Sequence, residues 1–337
     1  MTVARRTGHP AAWLLVGVAI IAAAVFASLC VGVIHITPGE VWRVLSGGAD
    51  DELPRTLVLD IRLPRAVAAV CVGAGLATAG CALQALLRDP LASPTMIGTA
   101  QASGFGRVLG VFLGWSYVAS VGLAFVAAVA ATLLVLAIAR SRRGFPSHIV
   151  LLAGVNVGMM FAALVGLVQY ASKDEGQLSR MVLFLLGGLW QITWQPLTYT
   201  APLTLAAIVL AWLLSRKLDL FARGESQAQR LGLATDRLGV AVLVTASLLT
   251  SLAVSIAGVV AFAGLIVPHA ARRLTGPLHA RLLPTAALLG ALLLLGVDCI
   301  ARTAVAPNEL PLGVLTSLIG VPCFLMLLRS IARGSTR

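Results

Sequence analysis

Long uninterrupted apolar runs leave few folds open to this chain. Ten occur, at residues 11–36, 66–87, 96–113, 118–139, 149–170, 197–214, 238–257, 259–271, 282–300 and 312–328. A helix needs about 20 apolar residues to cross a bilayer, and 59% hydrophobic residues in a chain of 337 can fill about ten such spans. Charged residues make up only 11%, under half of the ~25% usual in soluble domains. A soluble enzyme, a disordered chain and a peripheral protein with one anchor are thereby excluded. The apolar residues come in runs rather than alternating, which argues against a membrane β-barrel. The expected fold is an all-α polytopic membrane protein with about ten transmembrane helices in one domain, 1–337, with repeat halves of roughly 1–190 and 191–337. Arg5 and Arg6 precede the first run as in a signal peptide, but that run exceeds a 7–15-residue signal core, so it is expected to stay as an uncleaved span. Residues 181–190 are apolar but too short to cross; they predict an interfacial helix with Trp190 and Trp194 at headgroup level.

The net charge of +12 is topogenic rather than a nucleic-acid footprint. Only Lys173 and Lys217 are lysines, and the basic residues sit in short loops between runs. With the N-terminus inside, seventeen of the 25 Lys and Arg fall in the cytoplasm and eight outside, which favours an N-in, C-in topology. The five cysteines lie in or beside apolar runs, and no CxxC occurs. They are expected to pack as small core residues, with no metal site. Ala79-Gly80, Pro90, Ala92 and Gly98 recur as Ala257-Gly258, Pro268, Ala270 and Gly276, each 178 residues on. The two copies begin in spans of opposite direction, which predicts an inverted repeat, a common transporter architecture.

The motifs of chemistry are missing. Neither lysine sits in a Gly-Lys-Ser/Thr phosphate loop, and neither HExxH nor GxSxG occurs. The chain is therefore expected to carry no catalytic residue and no cofactor, and to be unable to hydrolyse ATP alone in the P-loop manner. Asp298 is the best candidate for an unpaired intramembrane carboxylate, the mark of an ion-coupled carrier; Arg302 four residues on predicts instead a paired structural acid. What remains is a channel without an engine and one sizeable polar loop, residues 221–237. That loop predicts a short helix ended by Gly232, either a solvated connector or a docking element for a separate ATPase. An ion-coupled secondary transporter and a membrane scaffold are the rival classes.

From about Arg62 onward the chain resembles the FecCD-like, type II permease subunits of ABC importers for iron chelates, haem and cobalamin. The resemblance rests on Arg62-Leu63-Pro64-Arg65, on Gly80 through Gln84 to Asp89-Pro90-Leu91-Ala92-Ser93-Pro94, and on Leu152-Ala153-Gly154-Val155. It continues in Gly187-Gly188-Leu189-Trp190 with Trp194, Gly264-Leu265-Ile266-Val267-Pro268-His269 with Arg272, Asp298 with Arg302, and Glu309-Leu310-Pro311-Leu312-Gly313. Asp89 stands where the family usually has Asn, and Arg107 in a stretch usually of small residues. The resemblance implies ten helices per subunit in the bacterial inner membrane, a homodimer, a cytoplasmic ATP-binding subunit and a periplasmic substrate-binding protein. It implies that Arg62, Arg65 and Arg302 dock the binding protein, and it makes Glu225, Ala228, Leu231 and Gly232 the ATPase coupling loop. Asp89, Leu91 and Ser147 resemble the inner gate, with a plain connector as the alternative; Met159, Met160 and Tyr170 would either pack as an apolar stripe or line the path, joined there by Arg107 if it faces inward. His269 is expected to be structural. Among cargoes, haem ranks ahead of ferric siderophores and cobalamin: a path with Met159, Met160 and Tyr170 suits a flat apolar ring, and residues 174–180 loosely resemble haem permeases.

Overall fold

The computed structural model describes residues 10–48, 51–139 and 147–334; Arg5, Arg6, Arg140, Arg142, Arg143 and Arg337 of the topology argument lie outside the described residues. The chain winds through α1 (Pro10–Cys30), α2 (Pro38–Leu45), α3 (Glu52–Thr56), a π-helical stretch (Leu57–Arg62) and α4 (Leu63–Leu87). It continues through α5 (Thr99–Phe112), α6 (Tyr117–Ala139), α7 (Ser147–Ala171), α8 (Glu175–Leu186), α9 (Trp194–Leu213), α10 (Ser215–Ala222) and α11 (Glu225–Arg230). It closes with α12 (Thr235–Ala257), α13 (Ala263–Thr275), α14 (His279–Thr303) and α15 (Leu312–Gly334). Each of the ten apolar runs becomes one helix. Among the described residues, six helices are long and apolar enough to cross a membrane: α4 with its N-terminal extension, α6, α7, α9, α12 and α14. In α1 and α15 the qualifying apolar stretch is shorter.

α5 and α13, with 14 and 13 residues, rise only about 20 Å, less than the ~30 Å hydrocarbon thickness. The irregular turns before them, at 88–98 and 258–262, make up the distance. Such backbone is tolerated at depth only when protein covers it, and Ala92, Ser93, Pro94, Ile97 and Val260 in those turns are buried.

α4 is the axis of the bundle. Its sequence is small on every side, AVAAVCVGAGLATAGCA, so neighbours can close on it all round. A Cβ on Gly73 would lie 2.1 Å from the Gly290 carbonyl of α14, and one on Gly80 would lie 1.8 Å from that of Gly264 in α13. Those two crossings exist because all four positions are glycine. α12 packs beside α4 and is also largely buried. It hides Thr245, Ser247 and Thr250 by donating their hydroxyls to carbonyls four residues back, each at 2.7 Å. α6, α7 and α9 instead leave broad apolar faces exposed, including Leu133, Leu167 and Leu205.

Three expectations need correction. The first run stops as helix at Cys30, not Ile36, because arginines from elsewhere take the carbonyls that would continue it. The interfacial helix begins before residue 181, where Asp174 Oδ1 accepts the Gly176 N–H at 3.0 Å and caps α8. The 178-residue offset does not join equivalent positions of the fold, although helices of similar length recur in the same order. α1, α4, α5, α6 and α7 have 21, 25, 14, 23 and 25 residues, and α9, α12, α13, α14 and α15 have 20, 23, 13, 25 and 23. An offset of 178 pairs Gly80, in the middle of α4, with Gly258, which ends α12 at φ +69°; the matched Gly and Pro residues do different jobs.

Candidate functional site

At the end of the bundle where α4 begins and α14 finishes, three arginines and two acids meet. Asp298 is fully buried. Its Oδ1 takes Arg65 Nε at 2.8 Å and its Oδ2 lies 3.1 Å from Arg302 Nε, one turn along α14. Arg65 Nη1 also reaches Glu309 Oε1 at 2.8 Å. The remaining donors run to the end of α1. Arg302 Nη2 bonds Ser28 Oγ at 2.9 Å and Nη1 bonds the Val31 carbonyl at 3.2 Å; Arg62 bonds the Leu29 carbonyl at 2.6 Å and that of Ile34. A helix C-terminus leaves carbonyls unpaired and carries partial negative charge, so two cations there stop α1 and hold the following turn. The sequence expectation for Asp298 and Arg302 as a pair is met. Arg62, Arg65 and Arg302, expected to dock the binding protein, are only 5–6% exposed, and each bonds acceptors inside the chain. Glu309 was not expected as a counterion; the one available signal was its place in a Glu-Leu-Pro-Leu-Gly stretch otherwise poor in charge.

At the other end, α10 and α11 form the expected polar loop. α11 stops at Arg230, and Gly232 turns the chain at φ +80°. Leu231 is 69% exposed, whereas Ala228 is fully buried, so of those two only Leu231 offers a surface to a partner. Glu225 Oε2 lies 3.7 Å from Arg88 Nη2, and the Arg88 guanidinium sits 5.5 Å from the Phe221 ring centroid. Arg88 ends α4 in the left-handed region at φ 52°, and Asp89 Oδ1 then accepts the Leu91 N–H at 2.8 Å. The fold thus joins the expected coupling loop to the expected gate turn. Asp219 in α10 accepts both the backbone N–H and ring Nδ1 of His279, at 2.8 and 2.7 Å, tying the loop to the start of α14.

On α7, Met159, Met160 and Tyr170 lie on an exposed stripe that also carries Leu152, Asn156 and Leu167. Tyr170 is 89% exposed. Ser147 opens α7, and its side chain lies outside the described residues. Arg107 stands apart from this stripe. Its guanidinium carbon lies 4.5 Å from the Tyr117 ring centroid and 5.7 Å from that of Phe184, beside a cavity of about 140 Å³. Neither aromatic was visible as its partner in the sequence, since they come from α6 and α8. His269 Nε2 is buried without a partner, and among the described residues no group of His, Cys, Asp and Glu is placed to hold a metal.

The comparisons agree with this architecture. Residues 20–330 match the FecCD transport family. The chain is 36% identical over 309 residues to the Fe(3+)-citrate import system permease protein of Bacillus subtilis, covering 91% of each chain. It is 38% identical over 277 residues to the hemin transport system permease protein of Yersinia pestis, covering 80% of this chain and 82% of that one. It is 35% identical over 325 residues to the vitamin B12 import system permease protein of Salmonella paratyphi A, covering 95% and 96%. A metal-chelate type ABC transporter solved in an inward-facing conformation superposes with a TM-score of 0.83 at 31% identity, over 94% of this chain and 98% of that one. With a bundle of this shape, no nucleotide-binding loop and a family match over nearly its whole length, the chain belongs to the FecCD transport family as a multi-pass membrane permease subunit.

Proposed function

We propose that this ABC importer permease carries an iron chelate, haem first, from an external binding protein to the cytoplasm, working as a homodimer around a shared path. The observation that carries this reading is the exposed stripe of α7, where Met159, Met160 and Tyr170 offer a polarizable, aromatic and uncharged surface. Such a surface suits a flat macrocycle, and a second copy facing it would close the path. Ferric siderophores and cobalamin are the alternatives within the family, and the relatives named above span all three kinds of cargo.

In this reading both termini are cytoplasmic and the α10–α11 loop seats an ATP-binding subunit. Leu231 makes the contact, Ala228 and Gly232 shape the turn, and Glu225 passes movement to Arg88 and the Asp89–Leu91 turn. The binding protein docks at the opposite end. There Arg62, Arg65 and Arg302 hold the outer turns in place from within, and their contribution to docking is the shape they impose.

The test is ATP-driven uptake into proteoliposomes holding the permease with its ATPase and binding protein, offered haem, a ferric siderophore and cobalamin separately. Uptake of haem above the others is expected. Uptake of a siderophore without haem overturns the ranking, and ion-driven uptake without any ATPase overturns the importer reading.

A further inference from the structure

The cavity beside Arg107 contains a charge that no acid among the described residues neutralises. Arg107 Nε is buried with no acceptor. Among the described residues its guanidinium meets only the faces of Tyr117 and Phe184. The cavity is lined further by Arg180, Trp190, Gln191 and Ser255, and by no Asp or Glu. Tyr117 has already committed its hydroxyl, which donates to the Ser255 carbonyl at 3.1 Å. Aromatic faces attract a cation but do not replace the hydrogen bonds that its N–H groups lose on leaving water. A second cation, Arg180, opens on the same space; its one acid, Asp174, lies 3.9 Å away on the exposed side. Two like charges around one small cavity repel unless a counter-charge sits between them.

We propose that this partly open cavity, lined by α5, α6, α8, α12 and the 188–192 turn within one subunit, binds a single oxyanion group, a carboxylate or a phosphate. Guanidinium groups favour planar or tetrahedral oxyanions that accept two parallel hydrogen bonds. A volume of about 140 Å³ holds one such group and excludes a macrocycle. The aromatic walls would shield the ion pair from water. The site is separate from the α7 stripe, so it does not rest on the cargo assignment.

The same chemistry can be supplied by a free anion or by the phosphodiester of a lipid headgroup, and the test separates them. Purified full-length permease in detergent is titrated with inorganic phosphate and with citrate at constant ionic strength, and its thermal midpoint is followed. The same protein is reconstituted in nanodiscs of phosphatidylcholine with or without phosphatidylglycerol, and lipid retained after purification is read by native mass spectrometry. A midpoint that rises by several degrees with phosphate or citrate supports a free anion. Retained phosphatidylglycerol and a midpoint raised only in the anionic nanodiscs support a lipid source. In either case Arg107→Gln is expected to abolish the response and Arg180→Gln to weaken the apparent affinity about tenfold. Arg107→Gln removes a half-buried charge with no acid partner among the described residues, so it should fold; Arg180→Gln, at an exposed position, keeps the test open if it does not. No response to any of the three anions, or an equal response in both variants and the wild type, overturns the proposal.

Discussion

Replacing Asp298 with Asn keeps the shape of the side chain and removes the carboxylate that serves Arg65 and Arg302 together. In the wild type two guanidinium groups, those of Arg65 and Arg302, face two carboxylates at this end of the bundle. In the variant they face Glu309 alone, which pairs with Arg65 and leaves Arg302 only neutral acceptors on α1. Removing one partner of a buried ion pair costs about 3–5 kcal/mol, because the remaining charge stays buried. Unfolding entropies of about 2.1 cal/mol/K per residue give about 0.7 kcal/mol/K for 337 residues. The thermal midpoint should therefore fall by about 4–7 °C, read by intrinsic tryptophan fluorescence of the purified protein. Glu309→Gln should lower it less, since that side chain is 29% exposed and water can take its place. Arg302→Met combined with Asp298→Asn should be milder than the two single changes added, by about 1–3 kcal/mol, as expected for groups in direct contact. A midpoint for Asp298→Asn within 1 °C of wild type, or strict additivity in the double variant, would refute the argument that this cluster is a coupled buried network.

Three further outcomes follow from the same geometry. Gly80→Val should abolish stable expression or lower the midpoint sharply, because even its Cβ lies 1.8 Å from a backbone carbonyl of α13, whereas Gly122→Ala, with open space around it, should change the midpoint by under about 1 °C. Leu231→Asp should leave the midpoint unchanged and cut transport-coupled ATP hydrolysis at least tenfold; Ala228→Asp, at a fully buried position, should destabilise the protein itself by about 3 kcal/mol or more, measured by the same melting assay. Arg62→Met should destabilise equally at low and high salt, because its acceptors are uncharged backbone carbonyls; a loss seen only at low ionic strength would restore a direct docking role.

The sequence by itself determined where the apolar helices lie and in what order, since hydropathy over about 20 residues is a local sum that survives any packing. It also determined that no nucleotide could be held in a P-loop, that Asp298 and Arg302 would meet one turn apart, and that the short helix of the polar loop would be ended by Gly232. The ordered motifs from Arg62 to Gly313 were legible in the same way. What only the tertiary structure decided is where side chains point and whom they meet. Arg65 finds Asp298 and Glu309 across 233 and 244 residues, and this turns apparent surface charges into buried clasps. The same two-helix convergence stops α1 at Cys30 although the apolar run continues to Ile36. Ala228 and Leu231 are three residues apart on one short helix and its cap, yet packing against the bundle buries the first and exposes the second. Arg107 acquired its aromatic neighbours only because α6 and α8 close over α5. In each case the partner lies far along the chain, and burial changes the energy of a charge by more than any local pattern can encode.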